Sequence, residues 1–144
     1  MTILDQDTIM ELLNAEGMFA TAMDLEYCLP TRASFLEQAA AAHRNVVKLG
    51  VADYEAEAWD CDDFAFLTRS LMRIAHKRTE GHPKAGLAVG VFTYNRDSSG
   101  AQHAVVVGVT RDEADYELVF AEPQTGQELR LSAQEKASCM GVYL

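Results

Sequence analysis

The sequence has no apolar run approaching the ~18 uncharged residues that a bilayer crossing needs, so it offers no candidate membrane span. It also lacks a basic start. MTILDQDTIMELL carries Asp5, Asp7 and Glu11 and neither Lys nor Arg, so a targeting segment is not expected and a cytoplasmic location is. Positive charge is scarce throughout: 22 acids face 12 Lys and Arg, a net charge of −10. The summed field of such a chain repels phosphate backbones and anionic lipid, so neither nucleic acid nor membrane is an expected partner. Cysteine is scarce as well. Cys28, Cys61 and Cys139 are odd in number and lack C-x-x-C spacing, which excludes a disulfide framework and a thiolate-metal site and leaves at least one free thiol. No repeat, low-complexity tract or linker interrupts the chain. Its 144 residues, 49% apolar and 24% charged, suit one hydrophobic core, so residues 1–144 read as a single domain.

Helical signals fill the first half. Residues 7–16 place Ile9, Leu12 and Leu13 on one face, with Asp7 as a cap and Gly17 as a stop. FATAMDLEYCLP reads as an irregular connection closed by Pro30. Thr31 then caps a helix through SFLEQAAAAHRNVVKL, which Gly50 ends. From Asp60 to Lys77, Phe64, Leu67, Leu71 and Ile74 recur at helical spacing and Arg73, Lys77 and Arg78 suit the negative helix end. After TEGHPKAG the pattern turns to strand. GLAVGVFTY and AQHAVVVGVT flank the polar turn NRDSSG as a hairpin, and YELVFAEP, QELRL and CMGVYL supply three more strands. Helices first and an antiparallel sheet second is an α+β plan.

Three residues carry candidate chemistry. Cys61 falls where the central helix begins, so the free N–H groups of the first turn favour a thiolate there. His103 opens a strand that can bring an imidazole to that sulfur, as a Cys/His pair requires. The other histidines are weaker candidates: His43 lies inside a scaffold helix, His76 near a helix end and His82 in a loop before Pro83. Glu122 ends the strand ELVFAE beside Pro123, where its carboxylate can hold the imidazole tautomer; Gln124 could do the same as an amide.

Cys at a helix start, His on a strand and an acid on the next strand is an order shared by papain-like, transglutaminase-like and NlpC-like hydrolases. More narrowly, WDCDDFAFL, QHAVVVG and the strand into EPQTG resemble the papain-like domain of the fungal chimerolectin family, over residues 25–131. That resemblance implies a papain-like fold and a calcium-dependent cysteine protease, with Cys61, His103 and Glu122 as its triad. The reaction implied is peptide or isopeptide hydrolysis of a peptide or protein substrate. The family's β-trefoil sugar-binding domain has no counterpart here, so carbohydrate binding is not carried over. Acyl transfer to an amine is an alternative, and so is a non-catalytic calcium-binding or protein-interaction module. Papain-like enzymes also use an upstream glutamine as an oxyanion donor. None lies between Gln38 and Cys61, which leaves the Cys61 backbone N–H.

Asp60, Asp62 and Asp63 crowd the cysteine, and negative charge raises a thiol pKa. A calcium ion on Asp62 or Asp63 with another acid, from Glu55, Glu57 or Glu122, cancels that charge. The expected metal set is Asp62, Asp63 and Glu122. The apolar tail CMGVYL either completes a sheet internally or pairs across a homodimer.

Overall fold

The computed structural model describes residues 2–144, and the chain opens on a strand. β1 (Thr2–Asp5) leads into α1 (Gln6–Ala15), followed by β2 (Ala20–Thr21), β3 (Glu26–Leu29), α2 (Arg32–Lys48) and α3 (Cys61–Arg78). Then come β4 (Gly86–Leu87), β5 (Val89–Asn95), β6 (Gln102–Asp112), β7 (Asp115–Glu122), β8 (Gln127–Leu129), α4 (Ala133–Ala137) and β9 (Gly141–Tyr143). The expected helix-first, papain-like α+β plan is corrected on this point. Strands are interleaved with the helices from the first described residue, and they build two sheets. The smaller has the order β1-β3-β4 and the larger β2-β9-β5-β6-β7-β8, so the tract read as irregular supplies a strand to each.

Local chemistry sets the helix ends. Asp5, not Asp7, caps α1, its Oδ1 accepting the Thr8 N–H at 2.8 Å. Thr31 caps α2 in the expected way, accepting from the Ser34 N–H at 3.1 Å, and Gly50 follows its end at φ +74°. At the head of α3 the Asp60 N–H donates to Asp63 Oδ2 at 3.1 Å, so Asp63 is committed to the cap.

The larger sheet is buried on both faces, which explains the unbroken valine run of β6. Val105, Val107 and Val109 join Ile9 and Leu13 of α1 in one cluster, whereas Val106 meets Phe35, Ala39 and Ala42 of α2 and Met72 of α3 in another. Gly108 shares the α2 face, and a Cβ there would collide with the Phe35 ring. A third cluster of small residues, Ala65, Val91 and Ala104 with Cys61 packed against them, lets the head of α3 approach β5 and β6 closely. The C-terminal tail is used internally: β9 pairs antiparallel with β5 and parallel with β2, so its apolar side chains are not left as a dimer edge. Among the described residues no helix is long and apolar enough to cross a membrane.

Candidate functional site

Cys61 is the first residue of α3, and Ala65 one turn later packs it against Ala104 of β6. The preceding residue of β6 is His103, so helix and sheet deliver the thiol and the imidazole to one cleft of about 400 Å³. The hairpin register pairs Tyr94 with His103, and the two rings meet edge to face at 5.9 Å. This packing leaves the imidazole 5% exposed and fixes its plane.

His103 Nε2 lies 2.7 Å from Glu122 Oε2, and Arg96 Nη2 lies 2.6 Å from the same nitrogen. Both cannot be hydrogen bonds at once, because a guanidinium only donates and a carboxylate only accepts. Burial pushes the Glu122 carboxyl up, but the His103 hydrogen bond and charge, the Gln124 N–H at 3.2 Å and Arg96 outweigh it and hold the group below its ordinary value. Glu122 is therefore the anion. Nε2–H donates to the carboxylate, and Arg96 serves as a charge neighbour of that carboxylate at 3.6 Å.

The sign of the Glu122 shift fixes a pH dependence. A carboxyl held low in the folded state contributes stability above its unfolded pKa, and that contribution disappears as pH falls through the folded value. Melting curves of the wild type and Glu122→Gln should therefore differ most near about pH 7 and converge toward about pH 3. A gap that stays constant across that range would mean that Glu122 is not ionised in the fold.

Burial pushes the Cys61 thiol up, and the charges of Asp60 and Asp62 add to this, while backbone groups of Ala104 and Asp62 act the other way. The positive helix end is thus overridden by burial first and by its own acidic flank second. Asp62 in turn holds its proton more readily than a free aspartate, first because it is hydrogen-bonded to Asp60 and then through burial. One ligand atom each from Asp60, Cys61 and Asp62 lies within 4.8 Å of the others. Asp60 Oδ1 is buried with no hydrogen-bond partner, an orphaned acceptor that costs about 1–3 kcal/mol if nothing answers it. Two carboxylates with a spare acceptor fit a hard cation. The expected metal set fits less well. Of its members only Asp62 belongs to this group, since Asp63 serves the cap and Glu122 serves His103. Glu55 and Glu57 lie in an exposed turn closed by the Glu55–Trp59 bridge.

Sequence reasoning missed Tyr54 and Gln102 of the cleft wall and Arg96, which meets His103 without lining the cleft. Tyr54, 58% exposed, is carried by a loop that Trp59 anchors through its Nε1–H to the Val51 carbonyl at 2.7 Å and its ring against Phe64. Gln102 and Arg96 flank the hairpin turn, where Asn95 pairs with Gln102. That register was readable from the NRDSSG turn and could have pointed to both. Of the other histidines, His43 faces the Pro123 carbonyl from α2, at 3.3 Å, outside this cleft.

No family model matches the chain, and no curated protein matches it in sequence. Solved structures do match. One is a complex of PSL1a with E64, with a TM-score of 0.73 and 18% identity over 99% of this chain and 51% of that one. Another is the lectin of Polyporus squamosus bound to the human-type influenza-binding epitope Neu5Aca2-6Galb1-4GlcNAc, with a TM-score of 0.73 and 20% identity over 99% of this chain and 49% of that one. The chain spans about half the length of these two structures. The identification as a papain-like cysteine protease is corrected accordingly. The expected hydrolase or thiol-protease enzyme goes with it, as do acyl transfer and the calcium-binding or protein-interaction module, because a matched structure is described as a lectin bound to a glycan epitope. What is shared at these identities is the fold, and it is a fold carried by a glycan-binding lectin chain.

Proposed function

We propose that this chain is a carbohydrate-binding domain that takes a neutral saccharide in the cleft at the head of α3. The observation that carries the reading is the composition of that cleft. An exposed aromatic ring, Tyr54, shares about 400 Å³ with Asp60, Asp62, Thr93, Gln102 and His103. An aromatic face covers the C–H side of a sugar ring, while carboxylates and an amide offer the paired acceptors and donors that hydroxyl groups need. The lectin that shares the fold supports the ligand class. Charge narrows it: Asp60 and Asp62 accept hydroxyl protons but repel a carboxylate, so a neutral glycan is favoured over a sialylated one.

Calorimetric titration with Galb1-4GlcNAc and with Neu5Aca2-6Galb1-4GlcNAc tests this. The neutral disaccharide should bind saturably and the sialylated form more weakly. Tyr54→Ala and Gln102→Ala should each weaken the neutral sugar by about tenfold, the loss of one good contact of about 1.4 kcal/mol. No saturable binding of the neutral sugar, or binding indifferent to both substitutions, overturns the reading.

The 2.7 Å bond between His103 and Glu122 favours a second property of the same cleft. Cys61 is its nucleophile, His103 the base and Glu122 the group that orients the imidazole. Calcium on Asp60 and Asp62 neutralises the acids that now raise the thiol. With calcium bound, the preference for a neutral over a sialylated glycan should weaken, because the same two acids set it.

A further inference from the structure

The cleft leaves unused a group of five basic side chains gathered elsewhere in the molecule. At the opposite end of α3 a depression of about 370 Å³ is lined by Arg73, His76 and Lys77 of the helix and by His82 and Lys84 of the loop before β4. Asp24 is the one acid in its wall. In a chain with 12 Lys and Arg, 4 His and a net charge of −10, five basic side chains around one depression run against the field of the whole molecule.

The depression is also built. Arg73 pairs with Asp24, and the pair lies against Gly86 of β4, where any Cβ would collide with Asp24 Oδ2 and lie 2.8 Å from Arg73 Nη2. Glycine at that position keeps the floor open to the ion pair. His76 Nε2 lies 3.2 Å from the Ala85 carbonyl and His82 Nδ1 lies 2.8 Å from the Pro83 carbonyl, with the two rings 5.9 Å apart. A carbonyl only accepts, so each ring carries a proton on that nitrogen and keeps its second nitrogen for another partner. Asp24 offsets Arg73. Among the described residues Lys77 and Lys84 are exposed and form no ion pair, and together they exceed the roughly half negative charge of the α3 C-terminus, so the excess is positive.

We propose that this depression is an anion site for a tetrahedral oxyanion, phosphate or sulfate, either free or as a monoester. Its wall brings the cationic side chains of Arg73, Lys77 and Lys84 to one depression with no second carboxylate, and positive charge with side-chain N–H donors is what a multiply charged oxyanion requires. The proposal is independent of the saccharide cleft, since the two share no residue.

Calorimetric titration of the whole chain with sodium sulfate, sodium phosphate and a phosphate monoester, each against sodium chloride at equal ionic strength, tests it. Saturable single-site binding is expected for the oxyanions and none for chloride. The Lys77→Ala/Lys84→Ala variant should bind about tenfold or more weakly with an unchanged melting temperature, while Lys48→Ala at the end of α2 should bind as the wild type does. A monoester that binds tighter than the free ions identifies an esterified ligand, and the reverse order identifies the free ion. Oxyanion heats no different from chloride, or binding unchanged in the double variant, overturn the proposal.

Discussion

Phe35→Ala should cost about 3–5 kcal/mol of stability, enough to lower the melting temperature by on the order of 10 °C in a domain of this size. Phe35 is fully buried and bridges layers: it belongs to the cluster that joins α2 and α3 to Val89, Val106 and Val119 of the sheet. Its ring also occupies the space above Gly108 that a side chain on β6 would otherwise fill. Deleting the ring therefore removes both buried apolar area and the wall of a two-sided sheet, and the surrounding backbone cannot collapse fully into the gap. A double-mutant cycle sharpens the point. Gly108→Ala alone should destabilise by about 1–3 kcal/mol through overpacking, yet cost little in the Phe35→Ala background, where its methyl group finds room. Thermal unfolding of the four proteins measures the coupling. Strict additivity would show that Phe35 and Gly108 do not share space in solution.

The second large effect concerns sulfur chemistry. Without a cation, Cys61 should react slowly with iodoacetamide at neutral pH, because burial, Asp60 and Asp62 all favour its protonated form. Each unit by which that thiol pKa falls raises the thiolate fraction about tenfold. Calcium should therefore accelerate alkylation of Cys61 by about tenfold or more, and Asp62→Asn should reproduce much of the gain while blunting the response to calcium. Cys139, whose thiol is raised chiefly by burial, supplies the internal reference, and Cys28 at 2% exposure should stay silent. Mass spectrometry after timed labelling reads all three sites. Equal, slow labelling of Cys61 and Cys139 with and without calcium would remove both the cation and the nucleophile from this cleft. In His103→Ala the pH profile of Cys61 labelling should move to higher pH, a change that a merely structural histidine would not cause.

Much of the scaffold was legible because its signals are long. The seventeen-residue α2 announces itself through Thr31, its alanines and Gly50, and the β5–β6 hairpin through two β-rich runs around a polar turn. The smaller sheet was not legible. Its strands run to four residues at most, too short for alternation to show, and β4 pairs with β3 across nearly sixty residues of sequence. The first cap was misplaced by two residues because Asp5 and Asp7 are chemically equal candidates, and only the backbone entering from β1 selects Asp5. At the site, the position of Cys61 at a helix head and the adjacency of His103 to Glu122 followed from element order. The metal acids did not, because a sequence does not say that Asp63 is spent on the Asp60 N–H. Function was the least legible layer. A thiol, an imidazole and a carboxylate in sequence order suggested a peptidase, whereas Tyr54 and Gln102, which give the cleft its affinity for hydroxyl groups in the reading proposed, carry no spacing motif.

The position of β9 has a consequence for how the chain folds. Residues 141–143 form an inner strand of the larger sheet, between β2 near the start of the chain and β5. Until those residues are placed, β2 and β5 each keep an open hydrogen-bonding edge. Contacts of such high order close slowly. A folding intermediate in which β9 has not yet docked is therefore the species most exposed to edge-to-edge association.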